Sequence, residues 1–193
     1  MNRINIIEEN STRNEYYSVH DYMFKHRELL LDDEVDAHSM TEMIARVMYL
    51  DRQNPGEKIT LYINSPGGEV TSGLALYDVL RMIKSPVRTV CLGSVASMGA
   101  LLFLAGDERC VLKHSKIMIH DPAVRMSGEP SKALSVKETL EDLMKTREEL
   151  ARIISERTKK PLRTIYAKTK NDSWFTAEEA IEFGLATEVL SAI

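Results

Sequence analysis

Ser97 lies in Gly93-Ser94-Val95-Ala96-Ser97-Met98-Gly99-Ala100, where a strand-like run gives way to a helix-compatible one. Upstream, Val87-Arg88-Thr89-Val90-Cys91-Leu92-Gly93 reads as a short, mostly apolar buried strand. Downstream, Met98 to Ala105 reads as a buried helix that ends before Gly106. A serine at that junction is lifted out of the strand and set at the positive end of the helix. Free backbone N–H groups there can hold a developing oxyanion. The nucleophile turns of hydrolases use this strand-to-helix geometry. The plainer alternative is a helix cap, a frequent role for serine at a helix start.

A hydroxyl becomes a useful nucleophile only when a base takes its proton and a third group holds that base in the right tautomer. Five histidines are available: His20, His26, His38, His114 and His120. The first three belong to the polar N-terminal region and suit solvated surface. His114, between Lys113 and Ser115, sits in an apparent hairpin turn. His120 ends the strand Lys116-Ile117-Met118-Ile119-His120, which Asp121-Pro122 stops at once. Strand ends of open α/β sheets are where ligands bind, although a histidine there also suits an ordinary surface or core position.

Two aspartates could orient His120. Asp121 is its sequence neighbour, and neighbours in a strand point to opposite faces. Asp172 lies in Lys170-Asn171-Asp172-Ser173-Trp174-Phe175, between two helices and beside aromatic cover expected to exclude water. A plain turn aspartate is the competing role. A second oxyanion donor is available from Ser65-Pro66-Gly67-Gly68, since paired glycines after a strand let backbone approach a ligand, although the same residues also make a simple turn. No G-x-x-x-x-G-K-[ST] run occurs, so ATP hydrolysis by a phosphate loop is excluded.

These residues are carried by alternating elements. A short strand at Leu29-Leu30-Leu31 precedes a helix capped by Ser39 and reaching roughly Leu50, with Met43, Ile44, Val47, Met48 and Leu50 as its apolar stripe. After the Asn54-Pro55-Gly56 turn come a strand at Ile59–Ile63 and a helix from about Thr71 to Lys84, ended by Pro86. Strands at Arg109–Leu112 and Lys116–His120 follow the Ser97 unit. Short connections between alternating strands and helices predict parallel strands with right-handed crossovers.

Beyond Ser131 the apolar positions Leu134, Val136, Leu140, Leu143, Met144, Leu150 and Ile154 mark a helix of about seven turns, broken near Lys159-Lys160-Pro161. A charged helix of that length cannot bury itself on a small core, so it is expected to project as an arm and cover its stripe with another subunit. Thr176-Ala177-Glu178-Glu179 is a capping-box start for a last helix, closed by Gly184. Residues 1–20 are polar, with a turn or flexible segment expected at Asn10 to Glu15.

At 193 residues and 44% hydrophobic content the chain suits one soluble domain. A net charge of −4, with no basic stripe, argues against nucleic acid as a partner. The longest apolar run, Met98–Ala105, is too short to span a bilayer, and the N-terminus has no signal-peptide core. Cys91 and Cys110 lack a C-x-x-C partner or metal-spaced histidine and read as buried structural thiols in a reducing cytoplasm, with no metal site expected.

Taken in order, Tyr62-Ile63-Asn64-Ser65-Pro66-Gly67-Gly68, Ala96-Ser97-Met98-Gly99-Ala100, Ile117-Met118-Ile119-His120, and Asp172 before Phe175-Thr176-Ala177-Glu178-Glu179-Ala180 with Gly184-Leu185 resemble the ATP-dependent Clp protease proteolytic subunit (ClpP) family. The resemblance runs from about Leu29 to Leu190. It implies a crotonase-like α/β fold of repeated β-β-α units with a protruding handle helix over 131–158 and a flexible axial segment over 1–20. It implies a Ser97, His120, Asp172 triad, with the backbone N–H groups of Gly68 and Met98 as the oxyanion hole. An extended substrate strand would lie along Gly68, Glu69 and Val70 and along the segment after Pro122, including Val124. The implied assembly is two stacked seven-membered rings of this subunit. Unfolded polypeptides would be delivered to it by a separate AAA+ unfoldase, which consumes the ATP, so that no cofactor is needed at the site.

Three departures from the family pattern stand out. Paired glycines that family members carry after the His-x-Pro segment are replaced by Ala123-Val124-Arg125-Met126, with Gly128 alone remaining. Asn171 occupies the place of an arginine that links the rings. The chain starts at Met1 with little ahead of the mature family sequence, so self-removal of a propeptide is not expected. These departures motivate a rival role as a non-catalytic or regulatory ring subunit beside an active relative. A second rival is an acyl-CoA hydratase or isomerase of the same fold, which needs no Ser-His-Asp set.

Overall fold

Alternating apolar runs and amphipathic stretches fold into alternating strands and helices. The computed structural model describes residues 5–9, 14–124 and 132–192. The elements are β1 (Asn5–Glu9), β2 (Asn14–Ser18), α1 (Val19–Lys25), β3 (Glu28–Leu31), α2 (Ala37–Gln53), β4 (Ile59–Ser65), α3 (Val70–Met82) and β5 (Val87–Ala96). They continue as α4 (Met98–Leu104), β6 (Glu108–Leu112), β7 (Lys116–Ile119), α5 (Ala133–Thr158), α6 (Leu162–Thr169), β8 (Ser173–Phe175), α7 (Ala177–Phe183) and β9 (Glu188–Leu190). Strands β3-β4-β5-β6-β9 lie side by side in that order and are all parallel. The fold is α/β, and the expected parallel sheet is present.

The middle strand, β5, is buried at Val87, Thr89, Val90 and Cys91 in near succession, because helices cover both faces of a parallel sheet. It is also the pivot of the architecture. Its first half, Arg88–Cys91, pairs with β6, and its second half, Ser94–Ala96, pairs with β7. Strands β6 and β7 therefore follow one another along β5, both parallel to it. This corrects the expected hairpin at His114: the segment is a step between two successive partners of β5. It is held by Ser115 N–H donating to Leu112 O (3.0 Å) and by Ser115 Oγ donating to Cys91 O (2.8 Å). Strand β8 then adds to β7 in the antiparallel sense, with Ile117 opposite Phe175 and Ile119 opposite Ser173.

Helix α2 buries Met40, Met43, Val47 and Leu50. Its cap is Asp36 and not the expected Ser39, which occupies the third helical position. Asp36 Oδ1 accepts the Ser39 N–H (2.8 Å), and the Asp36 N–H donates to Ser39 Oγ (3.2 Å). The N-terminal region holds more structure than its polar composition suggested. Strands β1 and β2 pair as an antiparallel ribbon apart from the main sheet, and Ser18 caps α1 in a capping box with Asp21. Residues 10–13 of the expected turn lie outside the described residues.

Helix α5 docks only by its C-terminal part, where Leu150, Ala151, Ile154 and Thr158 are buried. Leu134, Leu140 and Met144 are 67%, 56% and 50% exposed. The anticipated projecting arm with an uncovered apolar stripe is therefore present. Ser131, its expected first residue, lies outside the described residues, as do Arg125, Met126 and Gly128. The helix ends at Lys159 in the left-handed conformation (φ 61°). Thr176 caps α7 with Glu179 as foreseen, and Gly184 closes it. Among the described residues, no helix is long and apolar enough to cross a membrane.

Candidate active site

Strand β5 ends at Ala96, and α4 starts at Met98 with its whole length buried. The chain must turn within the single residue between them. Ser97 does so at φ 54° and ψ −122°, a region that side-chain-bearing residues rarely adopt. Its N–H donates to Met118 O (3.0 Å), which ties the turn to β7. The Met98 N–H is the first of α4 and has no acceptor within the helix.

The Ser65–Gly68 loop passes directly against this turn. Gly67 has φ 94°, and a Cβ there would come within 2.6 Å of Ala96 O and 2.8 Å of both Met98 N and Ser97 Cβ. Only glycine allows that approach. The next residue pairs with Val35 as a short parallel bridge: the Val35 N–H donates to Gly67 O (2.8 Å), and the Glu69 N–H donates to Val35 O (2.7 Å). Alternation along an extended backbone then turns the Gly68 N–H and C=O to the side away from Val35. Glu69 has its N–H committed to Val35, its carboxylate accepts Ser72 Oγ–H (2.7 Å), and Val70 opens α3.

His120 follows the last residue of β7 and is 27% exposed. Ser97 Oγ lies 2.8 Å from its Nε2, and Asp172 Oδ1 lies 3.1 Å from its Nδ1. An ionised carboxylate can only accept, so Nδ1 carries the proton and donates to Asp172, leaving Nε2 to accept from the Ser97 hydroxyl. Three residues from separate parts of the chain thus form one relay of hydrogen bonds. Asp121 faces the other way, as strand alternation required, and pairs with Arg147 on α5 (2.6 Å).

The expected aromatic cover over Asp172 is not there. The carboxylate is 66% exposed, because alternation in β8 sends Phe175 into the core and Trp174 outward. Val124 is also exposed, at the last described position before residue 132. His20, His26, His38 and His114 are on the surface, away from the relay. Cys91 and Cys110 are buried free thiols, and burial pushes the Cys91 pKa up to about 11, the opposite of a reactive cysteine. Among the described residues, no three or more His, Cys, Asp or Glu side chains gather in a way that could hold a metal ion.

Two participants were not read from the sequence. Val35 carries no signal beyond being apolar, yet it sets the direction of the Gly68 backbone. Arg147, on the charged face of a long helix, shows its contact with Asp121 only in three dimensions. The family model described as Clp protease matches residues 11–192, a span that takes in the whole relay and the loop facing it. The chain belongs to the Clp protease family.

Proposed function

We propose that this chain is a serine endopeptidase subunit of a barrel-shaped protease that hydrolyses unfolded polypeptides. Ser97 Oγ attacks the scissile carbonyl while His120 Nε2 takes its proton and later returns it to the leaving amine. Asp172 holds the imidazole in the required tautomer and stabilises its charged form. The N–H groups of Gly68 and Met98 meet the oxyanion as it develops. The observation that carries this proposal is the pair of hydrogen bonds through His120, 2.8 Å to Ser97 Oγ and 3.1 Å to Asp172 Oδ1. An extended substrate would pair with the outward side of Gly68 and run past Val70 and Val124, with the Glu69 side chain flanking it.

The exposed apolar stripe of α5 supports assembly of this subunit with further copies; the assembly would be two stacked seven-membered rings. A partner AAA+ unfoldase would supply ATP-driven unfolding, the site itself using no cofactor or metal, and the cytoplasm would be the compartment. Fluorophosphonate labelling of the purified chain tests the chemistry. Ser97 should be the modified residue, and Ser97→Ala should remove about 10⁶ in kcat on a short fluorogenic peptide. An unlabelled Ser97 in the assembled protein would point instead to a non-catalytic ring subunit.

A further inference from the structure

We propose that Arg147 is a positioning residue for the relay, fixing the segment that carries His120 to the helix that leads to Asp172. The proposal rests on the serine-peptidase role of Ser97, His120 and Asp172. Arg147 Nε donates to Asp121 Oδ2 at 2.6 Å, and the two side chains are only 27% and 29% exposed. The same guanidinium lies over the Tyr166 ring of α6, 4.3 Å from its centroid. One cation therefore grips both the residue that follows His120 and the helix that ends three residues before Asp172.

A second tie closes the circuit. The Asp121 N–H donates to Thr169 O, the last residue of α6, at 2.7 Å. From His120 the path runs through Asp121 to Thr169, along Lys170 and Asn171 to Asp172, and back to His120. Among the described residues, the Asp172 side chain hydrogen-bonds only to His120, so its placement depends on its backbone: the β7–β8 ladder fixes it from Ser173 onward, and α6 delivers it from the other side. Arg147 is also the most N-terminal residue of α5 whose side chain reaches the rest of the chain by a hydrogen bond or ion pair among those described, one turn before buried Leu150. A planar guanidinium can bond a carboxylate and stack on a ring at once, whereas an ammonium supplies the charge without the stacked plane.

The test compares Arg147→Gln, Asp121→Asn, their double variant and Arg147→Lys with the unaltered protein. Readouts are kcat and KM on a short fluorogenic peptide, the rate of fluorophosphonate labelling, and the melting temperature. Arg147→Gln and Asp121→Asn should each lower kcat and labelling rate about tenfold with KM within about twofold, less than the ~10²-fold that a 1 Å misplacement costs. The double variant should lose no more than Arg147→Gln alone, because that variant already removes the contact that Asp121→Asn removes. Arg147→Lys, which keeps the charge, should fall in between and covers the case in which the glutamine variant does not fold. An unchanged kcat in Arg147→Gln and Arg147→Lys, or a double variant whose loss equals the product of the singles, overturns the proposal. If the unaltered protein neither cleaves nor labels, the peptidase role fails, and a crystal structure of Arg147→Gln still decides the positioning. His120 and Asp172 drawn apart beyond hydrogen-bond distance would support it, and an unchanged separation would overturn it.

Discussion

His120 and Asp172 are cross-strand neighbours. Ile119 pairs with Ser173 in the antiparallel β7–β8 ladder, and one further step along that register sets His120 against Asp172, with 3.1 Å between Nδ1 and Oδ1. Directly opposed residues of an antiparallel pair have side chains on the same face and close together. His120 and Asp172 are thus held opposite one another by the backbone hydrogen bonds of that ladder.

Asp172→Asn tests the weight of that contact. An amide can donate to Nδ1 and stabilise the wrong tautomer, which costs about 10⁴ in kcat where the acid is buried. Here the carboxylate is two-thirds exposed and solvent competes for it, so a loss of about 10²–10³ is expected, with KM little changed. Steady-state kinetics on a short peptide measure it, and a loss under threefold would remove Asp172 from the relay.

Gly67→Ala should strike the proposed oxyanion hole and the fold together. The added methyl meets Ala96 O and the Ser97–Met98 backbone, and φ 94° is strained for alanine. Displacing the loop that carries the Gly68 N–H should lower kcat by about 10²–10³. The strain should destabilise the protomer by about 1–3 kcal/mol in urea unfolding. Wild-type kinetics in this variant would mean that the loop has no part in the chemistry.

Leu140→Glu and Met144→Glu place charge on the exposed stripe of α5. Each covered apolar side chain of that size is worth about 1.5–3 kcal/mol per copy. Sedimentation should therefore show smaller assemblies for both variants, with unaltered circular dichroism. Assemblies of unchanged mass would place the subunit contact elsewhere.

Acid stability has a local contributor at Asp107. Its Oδ2 accepts the Val87 N–H (3.0 Å), and its Oδ1 pairs with Arg81 (2.7 Å). Burial acts to raise its pKa, but the hydrogen bonds from Val87 and Arg81 outweigh that and hold it below the usual carboxylate value. A lowered folded pKa means stabilisation that is present above the unfolded value near ~3.9 and is lost as pH falls through the folded one. Asp107→Asn should therefore lower the urea midpoint at pH 7, and the gap to the unaltered protein should narrow toward about pH 3. An equal gap at both pH values would show that the charge contributes nothing.

Much of the frame was legible locally. The change of period at Ser97, the strand stopped by Asp121-Pro122, the capping box at Thr176 and the overlong helix before Lys159 each depend on residues close in sequence. The misplacements arose where local patterns were ambiguous. Asp36 and Ser39 are both good caps, and the choice went to the residue whose carboxylate reaches the third N–H. Lys113-His114 looks like a hairpin turn, but both flanking strands found a partner in β5. Trp174 and Phe175 looked like joint cover for Asp172, yet adjacent strand residues must face opposite ways.

By itself the sequence determined the elements and the junctions between them, because period, caps and breakers act over a few residues. It also determined that Ser97 sits at a strand-to-helix turn and that Asp121 is badly placed to orient His120. Only the tertiary structure decided that Ser97, His120 and Asp172 meet across separations of 23 and 52 residues. That meeting follows from the register of β5 with β7 and of β7 with β8, while Val35 separately sets the direction of the Gly68 backbone. Register follows from the packing of the whole core, and one slipped residue would send every one of these side chains to the opposite face.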